Sequence, residues 1–237
     1  MIAEAIQKII DIQRPEKVTV GRKVYWPGHV TPFTTIKPEV KTMRFHSLDA
    51  IAKMLVNEAV PHALRFIEVV DATTVRVFTH LDNEDWTRQD LYTANADIPG
   101  FSDGYRGYEQ FVIELRSRFI ENTGSKYLLD LLSKIDVNES SVSEDNGVTQ
   151  QVIVRKGIAL KESVVVKPIV SLRPYRTFME VEQPESEFLV RVDREGSIGL
   201  FEADGGMWQQ QAKTNIAAWL EKTLAAEIEA GLVIVMK

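Results

Sequence analysis

Three times along the chain, two short runs of β-branched and aromatic residues meet across a turn signal. Val18-Thr19-Val20 and Val24-Tyr25 flank Gly21. Phe66–Val70 and Thr74–Thr79 flank Asp71-Ala72-Thr73, and Ser186–Asp193 and Ser197–Glu202 flank Arg194-Glu195-Gly196. Runs this close predict hairpins, and a hairpin commits its strands to antiparallel pairing, because a parallel pair needs a long crossover. Trp86–Tyr92, Gln150–Arg155, Val164–Val166 and Leu232–Val235 read as further strands. Hairpins outnumber strand–helix–strand crossovers. The predicted class is therefore α+β, a mixed or mainly antiparallel sheet built from hairpins with helices packed on one face.

Helical periodicity fills the intervals. Ile2, Ala5, Ile6, Ile9 and Ile10 give a short amphipathic helix over residues 2–13, stopped by Pro15. Ser47 is an N-cap for a helix over Leu48–Glu58 that buries Ile51, Met54 and Leu55. Tyr108, Phe111, Val112, Leu115 and Phe119 form one stripe. Gly124 is expected to end that helix, with Ser125 capping another through Lys134. A last helix is expected from Met207 to Glu229, with Trp208, Ala212, Ile216, Leu220 and Leu224 on its face. The polar stretch 136–147 is the one place for a weak sub-division, and the chain reads as a single domain over 1–237.

Composition removes whole classes of chemistry. The chain has no cysteine, which excludes disulfides, thiolate zinc sites, iron–sulfur clusters and cysteine nucleophiles. With 28 basic and 34 acidic side chains, the net charge of −6 argues against a general polyanion-binding surface. No apolar run approaches the roughly 20 residues of a membrane span. Met1-Ile2-Ala3-Glu4 is unlike a signal peptide, so a soluble cytoplasmic protein is expected. Charge is uneven, however. Residues 51–150 carry 9 basic against 17 acidic side chains, whereas Gln151 to Met179 holds six basic residues and one acid, Glu162.

No Gly-x-Ser-x-Gly, His-Glu-x-x-His, P-loop or Gly-x-Gly-x-x-Gly pattern is present. Histidines 29, 46, 62 and 80 lie far apart. His80 with Asp82 and Glu84 comes nearest to a metal cluster, at the spacing of residues leaving a strand into an acidic turn. No cofactor is expected. Asp204-Gly205-Gly206 before a helix either presents N–H groups to an anion or makes the tight turn that needs the same glycines.

The densest stretch is Leu172-Arg173-Pro174-Tyr175-Arg176-Thr177-Phe178. Arg173, Tyr175 and Arg176, helped by Arg155, Lys156, Lys161 and Lys167, have the chemistry to grip phosphate and stack a base of single-stranded nucleic acid. The competing reading is an ordered loop whose arginines pair with Glu180, Glu182 or the acidic middle of the chain. A divalent-metal nuclease would need converging carboxylates, for which Asp145, Glu180, Glu182, Glu202 and Asp204 are the candidates. Trp208 and Trp219, eleven residues apart, are either core packing or a subunit contact.

Several of these segments resemble, in order, the YfdQ-like proteins of bacteriophages and prophages. They are Phe111-Val112-Ile113-Glu114-Leu115 with Phe119, Asp145-Asn146-Gly147-Val148-Thr149-Gln150, Leu172 to Phe178, Glu180-Val181-Glu182-Gln183-Pro184, and Phe201-Glu202-Ala203-Asp204-Gly205-Gly206-x-Trp208. The likeness runs from about residue 45 to the end, which leaves residues 1–45 as a variable N-terminal extension. It implies a phage-encoded protein without an assigned activity and supplies no catalytic residues. The expected function is then a non-enzymatic accessory protein that self-associates and binds a host or phage protein. Single-stranded nucleic-acid binding and a metal nuclease are the alternatives.

Overall fold

A computed structural model describes residues 3–6, 8, 18–20, 23–25, 41–58, 63–81, 86–134, 141–145, 150–156, 160–193 and 196–237. The chain divides into two compact units, residues 1–40 and 41–237. In the first, residues 3–6 and 8 are helical (α1). β1 (Val18–Val20) and β2 (Lys23–Tyr25) pair antiparallel with Val18 opposite Tyr25, the hairpin expected around Gly21.

The second unit carries a mixed sheet and a curled antiparallel sheet. The mixed sheet contains β3 (Met43–Phe45), β4 (Arg65–Val69), β5 (Thr74–Thr79), β6 (Asp90–Asn95) and β15 (Val233–Met236) in the order β15-β4-β5-β6-β3. β4, β5 and β6 run antiparallel, while both edge strands lie parallel to their neighbours. Ile67, Val69, Val75, Val77, Tyr92 and Ala94 alternate onto one buried face, the period-2 pattern of a sheet covered on one side. That cover is α2 (Leu48–Asn57) and α5 (Met207–Thr223), through Leu48, Ile51, Leu55, Ile216 and Leu220.

Local chemistry sets the ends of α2. The Ser47 hydroxyl accepts from Ala50 N at 3.2 Å, as its N-cap position predicts. At the other end the buried Arg65 guanidinium donates to Leu55 O at 3.1 Å and Glu58 O at 2.8 Å, satisfying carbonyls the helix leaves open.

The curled sheet has the order β7-β14-β13-β12-β8, from β7 (Gly104–Arg106), β8 (Phe119–Ile120), β12 (Ile169–Pro174), β13 (Ser186–Val192) and β14 (Ile198–Glu202). α3 (Tyr108–Arg118) and α4 (Thr123–Lys134) pack on it through Phe111, Leu115, Leu128, Leu131 and Leu132. A third antiparallel sheet, β11-β10-β9, is made of β9 (Ser141–Asp145), β10 (Gln150–Lys156) and β11 (Leu160–Val166). The buried Gln150 side chain ties it to β13, accepting from Val192 N at 2.9 Å and donating to Val192 O at 3.3 Å.

The fold class is α+β, as expected, but five local expectations differ. The third strand of the mixed sheet starts at Asp90 rather than Trp86, whose φ of 55° belongs to the left-handed region and breaks an extended run. Phe119 leaves α3 for an extended conformation (φ −126°, ψ 145°) and pairs with Pro174, while staying buried in the same core. Gly124 and Ser125 lie inside α4, whose start is capped by Asn122 Oδ1 accepting from Ser125 N at 2.8 Å, rather than ending α3 and capping the next helix. A Cβ at Gly124 would run into the Ser171 carbonyl and, at 2.7 Å, the Val170 side chain, so glycine lets helix and strand approach. The last helix breaks at Leu224 (ψ 26°) and resumes as α6 (Ala225–Glu229). Within the polar stretch, residues 141–145 are strand β9. Most of the expected helix over residues 2–13 lies outside the described residues.

Candidate functional site

The segment from Tyr175 to Glu185 leaves β12, crosses to the mixed sheet and returns as β13. Phe178 and Val181 are buried in the core under α2 and α5. A loop carrying its backbone indoors must satisfy it there, and Gln183 does so. Its buried carboxamide accepts from Arg176 N at 3.0 Å and Thr177 N at 3.1 Å and donates to Phe178 O at 3.0 Å. The Thr177 hydroxyl donates to Ala72 O at 2.5 Å in the β4–β5 turn, and Asn215 Nδ2 on α5 donates to Glu182 O at 2.8 Å.

The charged candidates fall within this frame. Arg176 is 7% exposed at its side chain. It pairs with Glu202, donates to the Ser186 hydroxyl, and lies over the Trp208 ring at 4.1 Å. Burial pulls its pKa below the ordinary arginine value, and the charges of Glu202 and Asp204 oppose that pull. Arg176 Nε and Trp208 Nε1 have no acceptor among the described residues, a cost of which the cation–π stack recovers only a part.

Asp204 accepts from the Ser186 hydroxyl and, at 2.9 Å, from Gly206 N. Burial works against its charge, but those hydrogen bonds and Arg176 outweigh it and hold its pKa below the ordinary carboxylate value. Gly205 (φ 64°) and Gly206 (φ 80°) have the left-handed backbone that such a turn demands. The turn before α5 thus already holds an anion, the Asp204 carboxylate.

Arg173 reaches Glu182 at 3.1 Å and Glu185 at 3.8 Å. Tyr175 is half-buried, its N–H donating to Arg118 O at 2.9 Å. Lys167 lies over the Tyr127 ring at 4.8 Å. Glu180 Oε1 accepts from Leu48 N at 2.7 Å and Asp49 N at 3.3 Å, an N-terminal cap for α2 supplied from across the chain. Arg155 and Lys156 end β10 opposite Lys161 and Leu160, and Asp145 ends β9. The side chains of those three lie outside the described residues, as do Asp82 and Glu84 beside His80. Among the described residues no group of three or more metal-ligating side chains comes together. Of the carboxylates proposed for a nuclease, Glu180 goes to α2 and Glu182 to Arg173, whereas Glu202 and Asp204 both flank Arg176, whose charge takes the place a metal ion would fill.

Trp219 packs half-buried against the mixed-sheet core. Near that core opens a surface that the sequence reading passed over. A groove of about 620 Å³ is lined by Leu64, Ala225, Ile228, Val233, Ile234 and Val235, with the exposed Glu221 and Glu229 in its walls. It runs along β15, and among the described residues no strand pairs with the outer edge of β15. Alternate residues of a parallel strand turn both backbone groups to the neighbour. Leu232 O accepts from Arg65 N at 3.0 Å, so Leu232, Ile234 and Met236 serve β4. Val233 and Val235 turn their N–H and C=O groups outward. Ile234, 43% exposed, sits on the outer face of the sheet opposite Phe66. Phe66 stacks on Phe78 at 5.6 Å, and the Arg88 guanidinium lies over both rings at 5.1 and 5.4 Å. The signal that could have marked this edge is a four-residue apolar strand with neither proline nor an internal charge to blunt it.

Among the described residues no helix is long and apolar enough to cross a membrane. Compared with protein-family models, with curated proteins and with solved structures, the chain has no match.

Proposed function

We propose that the protein is a non-enzymatic, self-associating accessory protein that binds protein partners through the open edge of its mixed sheet. One observation carries this reading: the outer edge of β15, with which no described strand pairs, lies beside an apolar groove. Strand addition uses that combination, with main-chain hydrogen bonds for affinity and side-chain pockets for specificity. Arg173 and Arg176, central to the nucleic-acid alternative, are instead engaged by Glu182, Glu185 and Glu202. The resemblance to the YfdQ-like proteins supports a phage or prophage setting in the cytoplasm of a bacterial host.

Light scattering on a sizing column tests the reading. The mass should exceed the 26.9 kDa of one chain, rise with protein concentration, and stay the same when a single-stranded oligonucleotide is added at low salt. A single-chain mass at every concentration overturns self-association. Salt-sensitive uptake of the oligonucleotide reinstates the nucleic-acid alternative.

A further inference from the structure

The edge of β15 has a sequence that can pair with itself. Val233 and Val235, the residues with outward backbone groups, flank Ile234 symmetrically. We infer that the occupant of this edge is a second copy of the chain, paired antiparallel about a twofold axis at Ile234. This rests on the protein-binding reading above and names its partner.

The register follows from the strand. Val233 of one copy faces Val235 of the other, and each such pair exchanges both its N–H···O=C bonds. Ile234 then meets its own counterpart as a non-hydrogen-bonded pair, with Cα atoms about 4.5 Å apart. On the outer face, Phe66 and Ile234 of each copy join in one apolar stripe across the axis. On the inner face, Val233 stays in its own core, and the half-buried Val235 of each copy lies beside the Val233 of the other, so the two grooves along β15 meet across the axis.

Charge agrees with this register. Lys237 continues the parity of Val233 and Val235, so it falls opposite Gly231 of the other copy, on the side that carries α6 with Glu227 and Glu229. The groove wall is acidic, through Glu221 and Glu229, and the incoming strand brings a lysine to it. The contact is isologous, so it closes at two copies and leaves no free β15 edge for further growth.

A charge-swap pair tests the inference. Ile234→Lys and Ile234→Glu each place like charges on the axis, and each should weaken self-association about a hundredfold or more. Mixing the two variants should restore a two-chain species. Because the chain has no cysteine, Ile234→Cys supplies a second readout that keeps an uncharged side chain at the axis. Cα atoms of a non-hydrogen-bonded pair lie within disulfide range, so mild oxidation should give a cross-linked dimer, and Val56→Cys on exposed α2 should not. Wild-type association in both charge variants, or no cross-link at position 234, overturns the inference while self-association through another face stands. Wild-type protein that remains a single chain overturns both.

Discussion

The segment Tyr175–Glu185 and the strand Val233–Met236 are opposites. The first is dense in charge, aromatics and hydrogen-bonding groups; the structure buries Arg176, Thr177, Phe178, Val181 and Gln183 and ties its carboxylates to Arg173 and to the start of α2. The second is four apolar residues with half of their backbone groups facing outward. Conspicuous chemistry in the sequence marks the frame here, and a plain strand supplies the proposed contact surface. The physical reason is satisfaction: a buried charge persists where partners surround it, whereas an edge strand carries unmet hydrogen-bonding capacity whatever its side chains.

Substitutions within the frame should damage the fold, and those at the edge should damage association. The largest effect is expected for Gln183→Ala. It leaves the buried N–H groups of Arg176 and Thr177 without an acceptor and should cost about 3–5 kcal/mol in chemical denaturation. A loss below about 1 kcal/mol would mean that water replaces the carboxamide and that the segment is no keystone.

Arg176→Ala should cost about 3 kcal/mol, since it strips the partner from Glu202 and the stack from Trp208. Glu202 is partly exposed and can turn to water, which keeps the figure near the lower end of such losses. Glu180→Ala removes an acceptor at the start of α2 and should cost about 1 kcal/mol. Amide exchange at Leu48 and Asp49 would report the same loss locally.

Asp204→Asn sharpens the comparison through pH. The folded pKa of Asp204 lies below its reference value of 3.8, so the charged carboxylate stabilises the fold fully above that pH. The contribution disappears as pH falls below 3.8 toward the folded value. The variant should be less stable than wild type at neutral pH, with the gap closing in acid. A gap that persists unchanged in acid would assign the loss to shape instead of charge. The smallest effect on folding is expected for Val235→Pro. Its N–H faces outward, so the bond ladder to β4 survives and stability should change by less than about 1 kcal/mol, while self-association is lost.

What the sequence made legible follows the range of the forces involved. The start of α2 could be read because Ser47 and its apolar stripe are local. The hairpins could be read because turn and alternation lie within a few residues. β3, β7 and β8, two or three residues long and defined only by distant partners, escape a reading of the sequence, as do β9, in a polar stretch, and β12, half of which falls in the arginine-bearing run that reads as a loop or a site. The arginine-rich loop was seen as a site or a salt-bridged structure, and residues alone do not choose, since Arg176 finds Glu202 across 26 residues. Glu180 was a metal candidate because its role as a helix cap spans 132 residues. β15 was recognisable as a strand. Its position at an edge was not, because that depends on a parallel partner at Arg65–Val69.

Hydrogen exchange at single amides, followed across protein concentration, tests the contrast most directly. Arg176 N and Thr177 N, held by Gln183, should exchange slowly at every concentration. Val233 N and Val235 N should be protected in concentrated protein and exchange much faster on dilution, as the second copy leaves the edge. Amides of Val233 and Val235 that exchange at the same fast rate at all concentrations would contradict the account, because the edge would then pair with no copy of this chain.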